Sequence, residues 1–192
     1  MAQAKVATFR HGRRNLSVPA RRTFYLSIVQ ATLDYASNSY VHGLSATLFD
    51  RLCVTSQKCL RKVFGLDRFT SVDLILNRYD LYSLAQRFLL KLYTFVYRAL
   101  QSRTSVLIQN MFQPRCQGPH TSVVTRGQAG SSYILPGVYT RYGYNSISFI
   151  AADRWNSLPP DCRNARSLPV FVSHTKLFLG FPVRRPRPVG LP

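Results

Sequence analysis

From Phe24 to Met111 apolar side chains return at three- and four-residue steps, and the pattern stops at Pro114. A strand would need them at alternate positions; this period belongs to the α-helix and puts one apolar stripe on each segment. "TFYLSIVQATLDYA" carries Phe24, Ile28 with Val29, and Leu33 on one side, after Ser17 as a cap and Pro19 in a first turn. In "LSATLFDRLCVTSQKCLRKVFG" the inward stripe is Leu48, Leu52, Cys59 and Val63, helped by Phe49 and Leu60, and Gly65 suits a C-cap. "TSVDLILNRY" reads as a short helix capped by Thr70 or Ser71. Asp80 is the expected cap of a long helix with Leu81, Ala85, Phe88, Leu92, Phe95 and Ala99 on its stripe and Arg87, Lys91 and Arg98 between them. "TSVLIQNMF" adds a last short amphipathic piece.

After Met111 the composition changes. "PRCQGPHTSVVTRGQAGSSYILPG" has the Gly, Pro and Ser content of an irregular stretch, and "VYTRYGYNSISF" reads as an aromatic hairpin. Helical spacing returns with Phe149, Ala152 and Trp155, which share a face. Pro159 and Pro160 end that helix, and Leu168 to Leu179 forms another. Trp155 is expected to pack and not to stack on a base, because large aromatics dominate small cores. Asn156 is expected to bond its own backbone at the helix end, with Leu158 tucking back before Pro159. The segment is a latch: helix, rigid corner, helix.

The expected organisation is a basic arm over 1–22, a helical core over 23–112, an irregular linker with an aromatic hairpin over 113–145, the latch over 146–180, and a basic proline-rich tail over 181–192. The fold class is mainly α: a small helical bundle with an irregular, partly hairpin-like C-terminal segment closed by helices.

Lys and Arg number 26 against seven acids, all Asp, for a net charge of +19 on 192 residues. Arginines outnumber lysines 21 to five, and the guanidinium fork matches phosphate oxygens. Residues 1–96 carry a net +9 and residues 97–192 a net +10, so this is not a basic tail on a neutral body. A polyanion is the partner such a surface rewards. Arg10, Arg13, Arg14, Arg21 and Arg22 in the arm, with Arg51, Lys58, Arg61 and Lys62 on the second helix, are the expected phosphate-tracking surface for RNA or DNA.

Catalytic and cofactor chemistry lacks support. No Gly-rich loop precedes a Lys, and no G-x-S-x-G elbow occurs. Asp153 and Asp161 are the only carboxylates near the tryptophan, and neither has a positioned partner in the sequence. Cys53, Cys59, Cys116 and Cys162 show no C-x-x-C spacing and no local zinc pattern with the four histidines. No catalytic residue, metal ligand or cofactor is assigned. The longest greasy run, "RFLLKLYTFVYRAL", is interrupted by Lys91 and too short to span a bilayer. No membrane partner is expected, and an intracellular setting, nuclear or cytoplasmic, fits the free thiols.

"GYNSISFIAADRWNSLPPDCRNARSLPVFVSHTKLFL" also resembles the terminal block of the polymerase polyprotein of LINE-like (non-LTR) retrotransposons: a Gly, an aromatic, W-N-x-L-P, an Arg, a Ser-Leu pair and a Phe-bearing helix. Upstream, Tyr25, Ser27, Val29, Leu33 and Tyr35 resemble one helix of that region. Leu48, Leu52, Arg61, Val63 and Gly65 resemble a second, and Leu84, Arg87, Phe95, Val96, Tyr97 and Arg98 a third. Thr125 and Arg126 match a short marker before the aromatic segment. The likeness covers roughly residues 8–180 and implies the region after fingers, palm and thumb, in an enzyme that copies element RNA at a nicked genomic target. It implies no catalysis here, since the family's paired aspartates are absent. The expected function is a non-catalytic nucleic-acid-binding accessory region, partnered by an upstream polymerase domain. The alternatives are a structural or protein-interaction remnant with no nucleic-acid role, and an enzyme fragment with cryptic activity.

Overall fold

The computed structural model describes residues 16–101, 105–112 and 133–180, and these are mainly α-helical. Arg10, Arg13 and Arg14, the marker at Thr125 and Arg126, and the tail after Gly180 lie outside the described residues.

Helix α1, Val18–Phe24, starts as its sequence predicts: the Ser17 hydroxyl accepts from the Ala20 N–H at 3.4 Å, and Pro19 occupies the first turn. The boundary expected at residue 22 therefore falls inside a helix. The chain continues through a π-helical stretch, Tyr25–Gln30, into α2, Ala31–Asp34, and then α3, Ser37–Tyr40. Helix α4, Ala46–Phe64, is capped by Ser45 and closed by Gly65 at φ +73°, where a left-handed residue lets the Leu66 N–H reach Arg61 O at 2.9 Å. Its inward face is Cys59, Leu60, Val63 and Phe64, whereas Leu48 is exposed and Leu52 only half-buried. The inward stripe is thus the C-terminal half of the one expected.

Short α5, Val72–Arg78, leads to α6, Leu84–Leu100. Asp80 does not cap α6. It sits in the preceding turn at φ +52°, and Ser83 caps instead, in a reciprocal box with Gln86. Helix α6 is the spine of the molecule. Its first half, Leu84 and Phe88, closes a core with Tyr25, Val29, Leu60, Val63 and Ile75. Its second half, Leu92, Tyr93, Val96 and Tyr97, closes another with Trp155, Leu158, Cys162 and Phe171. One helix can serve both because its apolar stripe drifts around the axis, from Leu84 through Leu92 to Tyr97.

After one turn at α7, Val106–Gln109, the description resumes at Tyr133. No β-strand occurs among the described residues. The stretch expected to be a hairpin, 138–149, instead has no regular structure at Val138 and Tyr139, coils into one helical turn, α8, Arg141–Tyr144, and runs into the helix that starts at Ile147. The Thr140 hydroxyl accepts from Gly143 N–H at 3.2 Å, offering the backbone a helical cap where a strand pairing was expected.

The latch forms as α9, Ile147–Asn156, then α10, Pro160–Arg163, then α11, Leu168–Phe178. Trp155 is 2% exposed, and its ring lies 5.8 Å from Phe171, which in turn stacks on Tyr97 at 4.4 Å. Leu158 is buried, and Pro159 occupies the cap position of α10. Asn156 does not bond its own backbone. Its amide donates to Tyr133 O and accepts from Tyr133 N–H, both at 2.9 Å, and so pins the start of the irregular stretch to the latch. Asn156→Ala should cost about 1–3 kcal/mol, because two partly buried backbone groups lose their partners together. Urea denaturation measures this; a change under half a kcal/mol, within the range of about 0.5 kcal/mol for neutral surface changes, would remove Asn156 from the structural set.

Candidate nucleic-acid interface

The expected phosphate-tracking residues divide into two groups. Arg21 lies in the last turn of α1 and donates from Nε to Leu16 O at 3.0 Å and from Nη1 to Phe64 O at 3.3 Å. Arg22 donates from Nε to Tyr79 O at 3.0 Å and from Nη2 to Asp80 O at 3.1 Å, with the Asp80 carboxylate 3.6 Å away. Arg61 places Nε and Nη2 both 3.1 Å from Thr70 O. Arg61 engages the Thr70 carbonyl in the loop before α5, while the Arg21 and Arg22 forks engage carbonyls at helix C-terminal ends: Phe64 ends α4 and Tyr79 follows α5. Cations there also face the negative end of the helix dipole. Arg21, Arg22 and Arg61 staple α1, α4 and α5 together, and two nitrogens of each fork already have acceptors.

Arg51, Lys58 and Lys62 form the second group, and all three are exposed. At 100° per residue they fall within about 40° of one another, along one edge of α4. The helix carries one acid, Asp50, against four bases. Of the six expected residues that are described, this three-residue stripe is the part that faces solvent.

Sequence reasoning missed a charged cluster on α6. Arg87, read as lying between apolar positions, is 4% exposed. It donates from Nη2 to the Asp34 carboxylate and to Gln30 O at 3.4 Å. Lys91, one turn on, donates to Asp34 O at 2.9 Å and lies 3.6 Å from the Asp34 carboxylate. The pair therefore cap the C-terminal end of α2 from a neighbouring helix, as cations at such an end do. Burial pushes the Arg87 guanidinium down from its ordinary value, and Asp34 pulls it back up. Burial also pushes the Tyr25 phenol up; its hydroxyl lies 3.4 Å from that of Ser56. The available signal was position: Arg87 and Lys91 sit three and seven residues after Leu84, close to the core-facing edge of the stripe.

A groove of about 480 Å³ opens where the two halves meet, walled by Phe49, Phe88, Leu89 and Phe149, with His42, Asn145, Asp153 and Arg154 among its polar residues. Burial, and then the Arg154 charge, push the His42 imidazole below its usual range. Asp153 borders this groove, while the Asp161 backbone oxygen lies 3.1 Å from His174 Nδ1. Among the described residues no group of three or more His, Cys, Asp or Glu is placed to hold a metal ion, and no helix is long and apolar enough to cross a membrane. Cys59 and Cys162 are buried and Cys53 half-buried, all as free thiols raised by burial. No protein-family model, curated protein or solved structure matches the chain.

Proposed function

We propose that this chain is a non-catalytic nucleic-acid-binding module, an accessory region of the kind that follows the polymerase in LINE-like retrotransposon polyproteins. The observation that carries the reading is the exposed stripe of Arg51, Lys58 and Lys62 on a molecule of net charge +19. Such a stripe meets phosphates without reading bases, so binding is expected to be weakly sequence-specific and strongly salt-dependent. The resemblance in the order of the sequence motifs supports the retrotransposon part of the reading, and the buried Trp155 agrees with a structural role for its W-N-x-L-P block.

The division among the basic residues decides which substitutions test it. Neutralising Arg21 or Arg22 would break staples as well as remove charge. Replacing the exposed Arg51, Lys58 and Lys62 with glutamine removes surface charge and leaves those staples in place. Fluorescence anisotropy with RNA and DNA oligomers across a salt series should then give weaker binding to all of them. The slope of log K against log salt should fall by about 0.7–0.9 per lost contact. Unchanged affinity and slope in the triple variant would dismiss this stripe. Affinity indifferent to salt in the wild type would favour a structural or protein-interaction module.

A further inference from the structure

Tyr139 is 97% exposed, Tyr142 89% and Tyr144 52%. Single exposed apolar residues are ordinary on any surface. Three rings within six residues, around an exposed Arg141, are a different matter, because they add nothing to either core.

The rings stand on a built turn. Asn156 pins its beginning at Tyr133. Thr140 caps α8, and Ser146 donates from its hydroxyl to Gly143 O at 2.6 Å and from its N–H to the same oxygen at 3.0 Å. A β-carbon at Gly143 would come 2.9 Å from Val138 Cβ, so the two arms of the turn touch where only glycine fits. Tyr144 is braced edge-on against Phe149 at 5.1 Å and shares its groove with exposed Arg154. Arg141 is the only charged residue from Tyr133 to Ala152, and with Arg154 it outnumbers Asp153, the one carboxylate bordering the groove, two to one.

From these features we infer that the turn carrying Tyr139, Tyr142 and Tyr144 is a stacking platform for single-stranded nucleic acid, with Arg141 and Arg154 meeting its phosphates. The inference rests on the nucleic-acid reading above and adds a site and a strand preference to it. Aromatic faces accept any unpaired base, whereas a duplex keeps its bases stacked inside and offers such rings nothing. A tyrosine surface could equally anchor a protein; the local excess of positive charge favours the polyanion. The pre-set turn lowers the ordering that binding requires.

The test compares a fluorescein-labelled 12-residue oligouridine with a 12-base-pair RNA duplex in anisotropy titrations at one moderate salt concentration. The variants are Tyr139→Ala with Tyr142→Ala, and Tyr139→Phe with Tyr142→Phe. Both rings point into solvent, so neither variant should lower the melting temperature. The alanine pair should weaken oligouridine binding about tenfold or more, from the cost of losing a stacked base. Duplex binding should change less than twofold, and the phenylalanine pair should match the wild type on both probes. An alanine pair that binds oligouridine like the wild type, or that weakens both probes alike, overturns the platform and leaves the phosphate stripe standing. A wild type that binds neither probe overturns the underlying nucleic-acid reading as well.

Discussion

Replacing Arg87 with alanine should destabilise the protein by about 3–5 kcal/mol, a large share of a single domain's stability. The cost is not the value of one ion pair. It is the penalty of leaving Asp34, 15% exposed at its side chain, without the guanidinium that faces it, and of losing the Arg87 bond to Gln30 O. Lys91 remains near Asp34, but its side chain is 42% exposed and its ammonium lies 3.6 Å from the carboxylate, so it screens without replacing the buried fork. Asp34→Ala should cost a similar amount, since it strands a buried guanidinium whose Nε and Nη1 already lack acceptors among the described residues. The double replacement Asp34→Leu with Arg87→Met should be far milder than the sum, because no buried charge is left alone. Urea denaturation of the four proteins forms the cycle. A loss under about 1 kcal/mol for Arg87→Ala, the scale of an exposed ion pair, would mean that water reaches this pair.

Trp155→Ala is expected to cost about 3–5 kcal/mol, the usual range for truncating a buried large aromatic. The ring fills the space between Phe171 and Tyr133, and its loss would open the second core at its centre. Trp155→Phe should recover much of the loss, since the indole Nε1 has no acceptor among the described residues and its removal strands no partner. At a temperature where the variants are folded, their affinity for RNA should match the wild type. An alanine variant with unchanged melting and weakened RNA binding would make Trp155 a stacking residue after all.

The two predictions draw on different kinds of information. Trp155 was legible in the sequence, because its burial follows from helical spacing with Ala152 and from the proline corner that returns Leu158 to the core. Arg87 was not legible. A local pattern assigns every arginine to the outside, and only the approach of α2 from 53 residues upstream provides Asp34 and the carbonyls that satisfy it inside.

The same division runs through the candidate interface. Net charge, the arginine excess and the helical frame follow from composition and period, which are properties of the chain alone. Whether a given arginine is available to a phosphate depends on which helix end lies beside it. Arg21, Arg22 and Arg61 sit beside the ends of α4 and α5 or the loop between them, and Arg51 and Lys58 look identical to them in the sequence. The expected hairpin failed for a related reason. Aromatic alternation in "VYTRYGY" suits a strand, but a strand needs a partner, and the Thr140 cap with the close Gly143–Val138 contact offers these residues a local solution. Sequence by itself determined the helices, their stripes and the sign of the surface, because these depend on neighbours within a turn or two. Tertiary structure decided which charges are buried, which act as staples and which face solvent, because a guanidinium's partner can come from anywhere along the chain.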